Sequence, residues 1–386
     1  MMSVSQGTDD TARLEGRAPA WTPVVILVRL VAWLAALPYV AVVLLVMTGP
    51  PTWSAVAYLA GIGVLLWGLM TLPGRAGKEG LGFRRPRGLT RGAALSVLAI
   101  ALVRGCTARS GETLAFEPAP RFVDRIVDEQ DVAVAGTRVL VASGMLRDDA
   151  TELPSAMRAA YARMHASEGD SPSPVLATYL GMQTPSEFDL LVVVPESEPR
   201  PREALVFLHG FAGNFALPCW QAARAVAPLG VMTVCPSTRW TGDWWSAAGE
   251  ATLRRTLDAL HARGVLRVVL AGLSNGGIGA SRLAPKMRGA FVGLVLVSGV
   301  ASDAGPPGVP TLVLHGRKDT MAGFGDATRY ASRTGARLVA LDAAHFAMLV
   351  RSSESDAALR AFVGSVLGKT HAMYDERRSP AARSPS

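Results

Sequence analysis

A chain of 386 residues has room for two to three domains of about 150 residues each. Its net charge of +8 is concentrated near the N-terminus: residues 1–111 hold 11 Lys/Arg against 4 Asp/Glu, whereas residues 112–386 hold 28 against 27. The second part is nearly neutral, which gives nucleic-acid binding no support, and basic residues beside apolar segments indicate a lipid bilayer as a partner instead.

Two apolar segments predict a membrane region over 21–106, after a polar N-terminal tail, 1–20, that is expected to be disordered. Residues 30–48 and 53–72 contain 19 and 20 residues without a charge. Each is long enough to cross a hydrocarbon core of about 30 Å as a helix. Only a short Gly-Pro-Pro-Thr turn separates them, so they predict a helical hairpin. Two buried helices of a soluble core are the alternative, but such helices rarely lack a polar face over this length.

A third apolar stretch, 92–103, leaves two topologies open. Its twelve residues would reach only about 18 Å as a helix. If it crosses the membrane, the rest of the chain lies outside the cytoplasm; if it lies in the interface, the rest stays inside. Six basic residues and one acid occupy 73–91, which places that loop in the cytoplasm and outweighs Arg104 and Arg109 on the far side. We therefore expect a multi-pass protein of a bacterial-type inner or plasma membrane, with its C-terminal part outside the cytoplasm.

The remaining chain divides by composition into a polar linker at 107–120, a domain over 121–370 and a disordered tail over 371–386. The three cysteines do not have metal-ligand spacing, and we expect neither a metal nor a cofactor. Cys219 and Cys235 could form a disulfide in an oxidising compartment, but we favour the interpretation that both are buried thiols.

Short β-branched runs recur from Phe188 onward and alternate with helix-compatible segments. Most runs are continuously apolar, which is typical of strands covered on both faces. The alternation predicts a mostly parallel sheet with helices on both sides, and ligands of such sheets bind beyond the carboxyl ends of the strands. The predicted strands are 190–194, 204–208, 231–234, 265–271, 291–297, 311–314 and 337–341.

A serine stands between two glycines directly after the predicted strand 265–271. A sharp strand-to-helix turn would expose Ser274 and bring neighbouring backbone close to it, which requires small residues such as Gly272 and Gly276. The start of the helix would also direct backbone N–H groups at an oxyanion formed there. This pattern predicts Ser274 as a nucleophile.

Two further strand ends carry the partners that a nucleophilic serine needs. Asp319 follows the strand 311–314, and His345 follows the strand 337–341. The chain order serine, aspartate, histidine is the one expected when an acid orients the base that activates the serine. Two backbone N–H groups are expected to bind the oxyanion: that of Asn275, and that of Phe211 in the loop after strand 204–208.

The segments "LVFLHGFAG", "GLSNGG", "LHGRKD" and "AAHF" resemble the α/β-hydrolase superfamily over about residues 188–367. The resemblance implies an eight-stranded sheet, a Ser–His–Asp triad and a two-step acyl-enzyme mechanism. It assigns the triad to Ser274, Asp319 and His345, and the oxyanion donors to Phe211 and Asn275. The oxyanion loop is His-Gly-Phe here, whereas many lipases and esterases of that superfamily have three glycines.

These observations predict a membrane-anchored serine hydrolase that cleaves an ester or related acyl bond in a small-molecule substrate. A peptidase or thioesterase of the same fold fits the same residues. A binding or scaffold protein that has kept the fold without activity is the alternative from another class, since a fold alone does not define a function.

Overall fold

The computed structural model of the chain describes residues 22–47, 49–72, 88–109, 111–146 and 152–369. The tails predicted to be disordered and the basic loop up to residue 87 lie outside the described residues. The chain divides into two compact units: Met1–Thr48 with Val56–Ala99, and Gly49–Ala55 with Ile100–Ser386. The turn between the first two apolar helices therefore belongs to the second unit.

Three helices are long and apolar enough to cross a membrane: α1 (Thr22–Met47), α2 (Trp53–Met70) and α3 (Leu89–Thr107). Helix α3 exceeds the predicted 92–103 at both ends, and its 19 residues reach about 28 Å. The expectation that this segment is short for a span was therefore wrong. Within the first unit, the Tyr39 hydroxyl donates to the carbonyl of Leu59 at 2.6 Å and so joins α1 to α2.

Eight strands form one sheet in the order β1-β2-β4-β3-β5-β6-β7-β8. The pairs β1–β2 and β2–β4 are antiparallel and the other five are parallel. The sheet is thus mixed, which corrects the predicted mostly parallel sheet. The strands are β1 (Leu114–Glu117), β2 (Leu190–Val193), β3 (Glu203–Leu208), β4 (Met232–Pro236), β5 (Arg267–Leu273), β6 (Gly293–Val297), β7 (Thr311–Gly316) and β8 (Arg337–Leu341).

The first strand lies in the segment that the sequence analysis treated as a linker. Residues Leu114 and Phe116 are buried, and their partners across the ladder are Val193 and Leu191. An edge strand of four residues has too few alternating positions to be recognised from its pattern.

Helices cover both faces of the sheet, as predicted. Alternate residues of β3 enter two separate cores: Leu205 and Phe207 face one, and Val206 and Leu208 face the other. The first core is completed by α4 (Glu129–Ala142), α5 (Leu153–Glu168), α7 (Ala216–Val226) and α12 (Ser352–Val366), and the second by α8 (Ala247–Ala262), α9 (Asn275–Leu283) and α10 (Phe324–Thr334). Two short helices, α6 (Val175–Tyr179) and α11 (Ala347–Val350), lie in connecting segments.

A disulfide joins Cys219 of α7 to Cys235 of β4. The favoured expectation of two buried thiols was therefore wrong. Cys106 is a free and exposed thiol.

The disulfide should stabilise the second unit. It closes a loop with a sequence separation of 16 residues, for which chain entropy predicts about 3 kcal/mol. We expect the variant Cys219→Ala/Cys235→Ala to lose about that much free energy of unfolding, measured by denaturant unfolding of the full chain in detergent. Cys106→Ala is the matched control and should unfold like the wild type. Equal midpoints for the double variant and the control would contradict the prediction.

Candidate active site

Ser274 lies in the turn between β5 and α9 with φ +54° and ψ −119°. A Cβ atom at Gly272 would lie 2.2 Å from the carbonyl oxygen of Gly276, and one at Gly276 would lie 2.0 Å from that of Leu208. No larger residue fits either position without moving backbone. The turn therefore has the tight packing that the sequence predicts, and Ser274 is left half-buried at the carboxyl edge of the sheet.

The structure brings the three predicted side chains together. His345 Nε2 lies 3.0 Å from Ser274 Oγ, and His345 Nδ1 lies 2.9 Å from Asp319 Oδ2. Asp319 and His345 are 6% and 5% exposed, whereas Ser274 is half-buried. A continuous line of hydrogen bonds thus connects a buried carboxylate to a hydroxyl that a ligand can reach.

Asp319 is fixed as an anion by donors on all sides. Its Oδ1 accepts the backbone N–H groups of Met321 and Ala322, both at 2.9 Å. Burial alone would raise the pKa of the Asp319 carboxyl, but hydrogen bonds from His315, His345 and the backbone of Ala322 hold this pKa well below its usual range. The carboxylate is therefore charged and orients the imidazole of His345.

His315 is a neighbour of the site to which the sequence analysis assigned no role. Its side chain is fully buried in β7, and its Nε2 donates to the carbonyl of Ala322 at 2.7 Å and lies 3.3 Å from Asp319 Oδ2. His315 therefore braces the turn that carries Asp319. The position of His315, four residues before Asp319 in the chain, is the feature of the sequence that could have indicated this contact.

Two other aspartates near these strand ends were possible rivals for Asp319. Asp326 pairs with Arg329, and Asp342 pairs with Lys318 at 3.0 Å with 69% of its side chain exposed. Neither of them is hydrogen-bonded to His345.

The two backbone groups expected to bind an oxyanion belong to residues adjacent in the chain to Ser274 and to Gly210. Asn275 follows Ser274 directly, and Phe211 lies in the loop after β3. A Cβ atom at Gly210 would lie 3.0 Å from the Cβ of Ser274, so this loop passes against the serine. In the part of the chain that the structure describes, no acceptor is bound to the backbone N–H of Phe211 or Asn275.

His209 holds that loop in place. It accepts the backbone N–H of Thr238 at Nε2 (3.1 Å), so Nδ1 carries the proton and donates to the carbonyl of Gly210 (2.8 Å). Burial lowers the pKa of His209 to about 4, which keeps the ring neutral. The indole of Trp244 donates to the carbonyl of His209 at 2.9 Å and is fully buried, whereas Trp240 is 44% exposed and packs edge-on against Phe211.

Glu129 at the start of α4 supports the same loop from the other end. Its carboxylate accepts the backbone N–H groups of Ala216 at 2.8 Å and Leu217 at 3.0 Å, and the hydroxyl of Ser173 at 2.7 Å. It therefore caps the N-terminus of α7, where the loop from Phe211 ends. The sequence alone does not reveal this role of Glu129, because only the fold brings α4 to α7. No cluster of three or more metal-ligating side chains occurs within the described ranges.

No protein-family model matches the chain, and no curated protein matches it. Similar solved structures include Est1E from Butyrivibrio proteoclasticus, with 15% identity, coverage of 47% of this chain and 95% of that chain, and a TM-score of 0.40. The Pyrococcus furiosus esterase Pf2001 has 13% identity, coverage of 48% and 90%, and a TM-score of 0.39. FphF, a fluorophosphonate-binding serine hydrolase of Staphylococcus aureus, has 15% identity, coverage of 46% of this chain and 92% of that chain, and a TM-score of 0.37. These neighbours are α/β serine hydrolases and esterases, and the likeness concerns the fold alone.

The geometry around His345 leads to a test that compares three aspartates. The nucleophile role predicted for Ser274 requires that Asp319→Asn leave the imidazole in the wrong tautomer and reduce kcat of acyl hydrolysis by up to ~10⁴. Asp326→Asn and Asp342→Asn change the same chemical group on the surface and should retain activity within about twofold, because surface substitutions have small effects. A greater loss in either surface variant than in Asp319→Asn would show that the acid was assigned wrongly.

Proposed function

We propose that the protein is a serine hydrolase that cleaves an ester or related acyl bond through an acyl-enzyme intermediate. The single observation that carries this proposal is the hydrogen-bonded line from Asp319 through His345 to Ser274. Such a line activates a hydroxyl that is otherwise a weak nucleophile. The turn at Ser274 and the two backbone donors beside it supply the other requirements of acyl transfer.

Each group has one role in the proposed reaction. Asp319 accepts the Nδ1–H of His345, so Nε2 takes the Ser274 proton while Oγ attacks the carbonyl carbon. The backbone N–H groups of Phe211 and Asn275 bind the oxyanion. Nε2 then gives its proton to the leaving group, whose bond to the carbonyl carbon breaks. Deacylation repeats these steps with water. Nε2 removes a proton from the water molecule while the water oxygen attacks the acyl carbon. Nε2 then returns the proton to Ser274 Oγ as the bond between Oγ and the acyl carbon breaks and the acid leaves.

A binding protein without activity needs none of these contacts. A fold used only for binding has no reason to keep a carboxylate, an imidazole and a serine hydroxyl in one hydrogen-bonded line. The same geometry fits an ester, a thioester or an amide, and we favour the ester as the least demanding leaving group for this machinery.

Removal of the nucleophile tests the proposal directly. Ser274→Ala should lower kcat of ester hydrolysis by ~10⁴–10⁶ and abolish labelling by a fluorophosphonate, which reacts only with an activated serine. Ser197→Ala replaces an exposed serine and should change neither readout. Labelling of the wild type that persists in Ser274→Ala would rule out Ser274 as the nucleophile, and a wild type that is neither labelled nor active would favour the binding protein.

We further propose that the three apolar helices span a membrane and that the catalytic unit lies outside the cytoplasm. Thr52 of the α1–α2 turn donates its hydroxyl to Asp131 at 2.5 Å and its backbone N–H to the same carboxylate at 3.1 Å. This contact supports a topology in which the turn lies on the catalytic side of the membrane and α2 returns the chain to the side of the basic loop 73–91. The positive-inside rule favours the cytoplasm for that loop, and α3 is long enough to cross again. The disulfide between Cys219 and Cys235 fits an oxidising compartment.

Reporter fusions test this topology. Alkaline phosphatase fused after Gly111 should be active, and green fluorescent protein fused there should be dark, because each reporter folds on only one side of the membrane. Fusions after Gly80, in the basic loop, should give the opposite pair of results. Fluorescence after both positions would mean that α3 does not cross the membrane.

A further inference from the structure

Six of the large apolar side chains that are exposed in the second unit belong to neighbouring segments, and we call them the apolar band. Its members are 38–62% exposed, although side chains of this kind are usually buried in a soluble domain. A contiguous exposed apolar surface indicates a binding partner. The band consists of Phe122, Tyr179, Leu180, Met182, Phe211 and Trp240.

One end of the band lies at the end of the third apolar helix. The ring of Phe122 passes so close to Gly105 of α3 that a Cβ atom there would lie 2.2 Å from it. Arg121, which precedes Phe122, donates to the carbonyl of Met182 at 3.4 Å. Leu180 is two residues before Met182. The band therefore starts where α3 ends and continues toward α6.

The other end of the band lies in and beside the loop after β3, which passes against Ser274 at Gly210. Thr178 of α6 packs against the loop after β3, where a Cβ atom at Gly213 would lie 3.2 Å from its methyl group. That loop carries Phe211, and the Phe211 and Trp240 rings lie 5.1 Å apart. Phe211 is also the residue whose backbone N–H is proposed to bind the oxyanion beside Ser274. The band thus extends from the end of α3 to the loop that passes against Ser274.

The register of the sheet places both ends of the band at the same edge. Glu117 pairs with Leu190, and Leu190 pairs with Pro236, the last residue of β4. Two successive antiparallel pairings make β1 run in the same direction as β4, so β1 ends at the carboxyl edge. Phe122 follows β1 there, at the edge that also carries Ser274.

Residues at the start of α4 contact the α1–α2 turn and the end of α3. Asp131 binds Thr52 of the hairpin turn, and Asp128 lies 3.6 Å from the guanidinium of Arg104 near the end of α3. Glu129, between them, holds the N-terminus of α7. Asp128 and Glu129 are 8% and 4% exposed, so these two contacts are enclosed by protein. One helical turn therefore contacts both helix ends and the segment that follows the oxyanion loop.

We propose that the site takes its substrate from the bilayer: an amphiphilic ester whose long acyl chain lies on the apolar band while its carbonyl reaches Ser274. This inference rests on the proposed function and names the substrate class of that site. A bilayer is favoured over a protein partner because the band begins at the end of a helix that is itself apolar enough to enter the membrane. A substrate already in the lipid would move along the band without leaving an apolar surface.

The test uses the full chain in phosphatidylcholine vesicles and two esters with the same leaving group: methylumbelliferyl acetate in the water phase and methylumbelliferyl oleate in the bilayer. The readout is the ratio of kcat/KM for the oleate to kcat/KM for the acetate. We expect a ratio above about ten for the wild type and a fall of roughly tenfold in Leu180→Asn, because that substitution removes apolar surface under the acyl chain.

Leu266→Asn is the matched control. Leu266 is 68% exposed, compared with 62% for Leu180, but it precedes β5 at the end of the sheet opposite Ser274. Its variant should keep the wild-type ratio. A wild type that prefers the acetate, or equal ratios in the two variants, overturns this inference. Fluorophosphonate labelling of Ser274 in the same vesicles separates the two claims: labelled protein without the expected ratios overturns the substrate class alone, and unlabelled protein overturns the proposed function as well.

Discussion

The geometry of the site depends on a single backbone conformation, the positive φ of Ser274. A serine in this region costs of order 1–3 kcal/mol, so the surrounding structure must hold it there. The Ser274 N–H donates to the carbonyl of Val297 at 2.8 Å, and its own carbonyl accepts from Ile278 at 3.0 Å. Gly299 passes so close that a Cβ atom would lie 2.1 Å from the Ser274 carbonyl oxygen. Strands β5 and β6 and helix α9 thus enclose the turn, and only the hydroxyl is directed outward to His345.

Two buried carboxyl groups, those of Asp319 and Glu129, accept backbone N–H groups from a turn and from a helix start. A buried carboxylate is stable only where donors surround it. Asp319 has two backbone N–H groups from its own turn, and Glu129 has two from the first turn of α7. In both cases a backbone N–H that has no partner within its own turn or helix donates to a carboxyl oxygen. Asp319 thereby orients His345, and Glu129 anchors the far end of the loop from Phe211.

The sequence predicted those features that depend on a local pattern of residues, and it did not predict those that depend on contacts between distant segments. Ser274, Asp319 and His345 each follow a short β-branched run, and the order of these runs is enough to bring the three residues to one edge of a sheet. The antiparallel edge was not predictable, because β1 has four residues and its partner lies far away in the chain. Helix α4 was missed because its valines favour a strand. The disulfide was not predicted because sequence spacing does not reveal that the two Cα atoms lie 6.1 Å apart.

The side chain of Arg104 has a different role in the structure from the one that its sequence position suggests. In the sequence it is a positive charge after a short apolar stretch, which opposes transfer of that side across a membrane. In the structure it is 1% exposed, pairs with Asp170 at 2.7 Å and lies 3.6 Å from Asp128. Two carboxylates therefore offset its charge, and a buried ion pair cannot lose one partner without leaving the other uncompensated. Because Asp128 also begins the turn that contains Glu129, Arg104 joins the end of α3 to α4, the helix whose Glu129 contacts the end of the loop from Phe211.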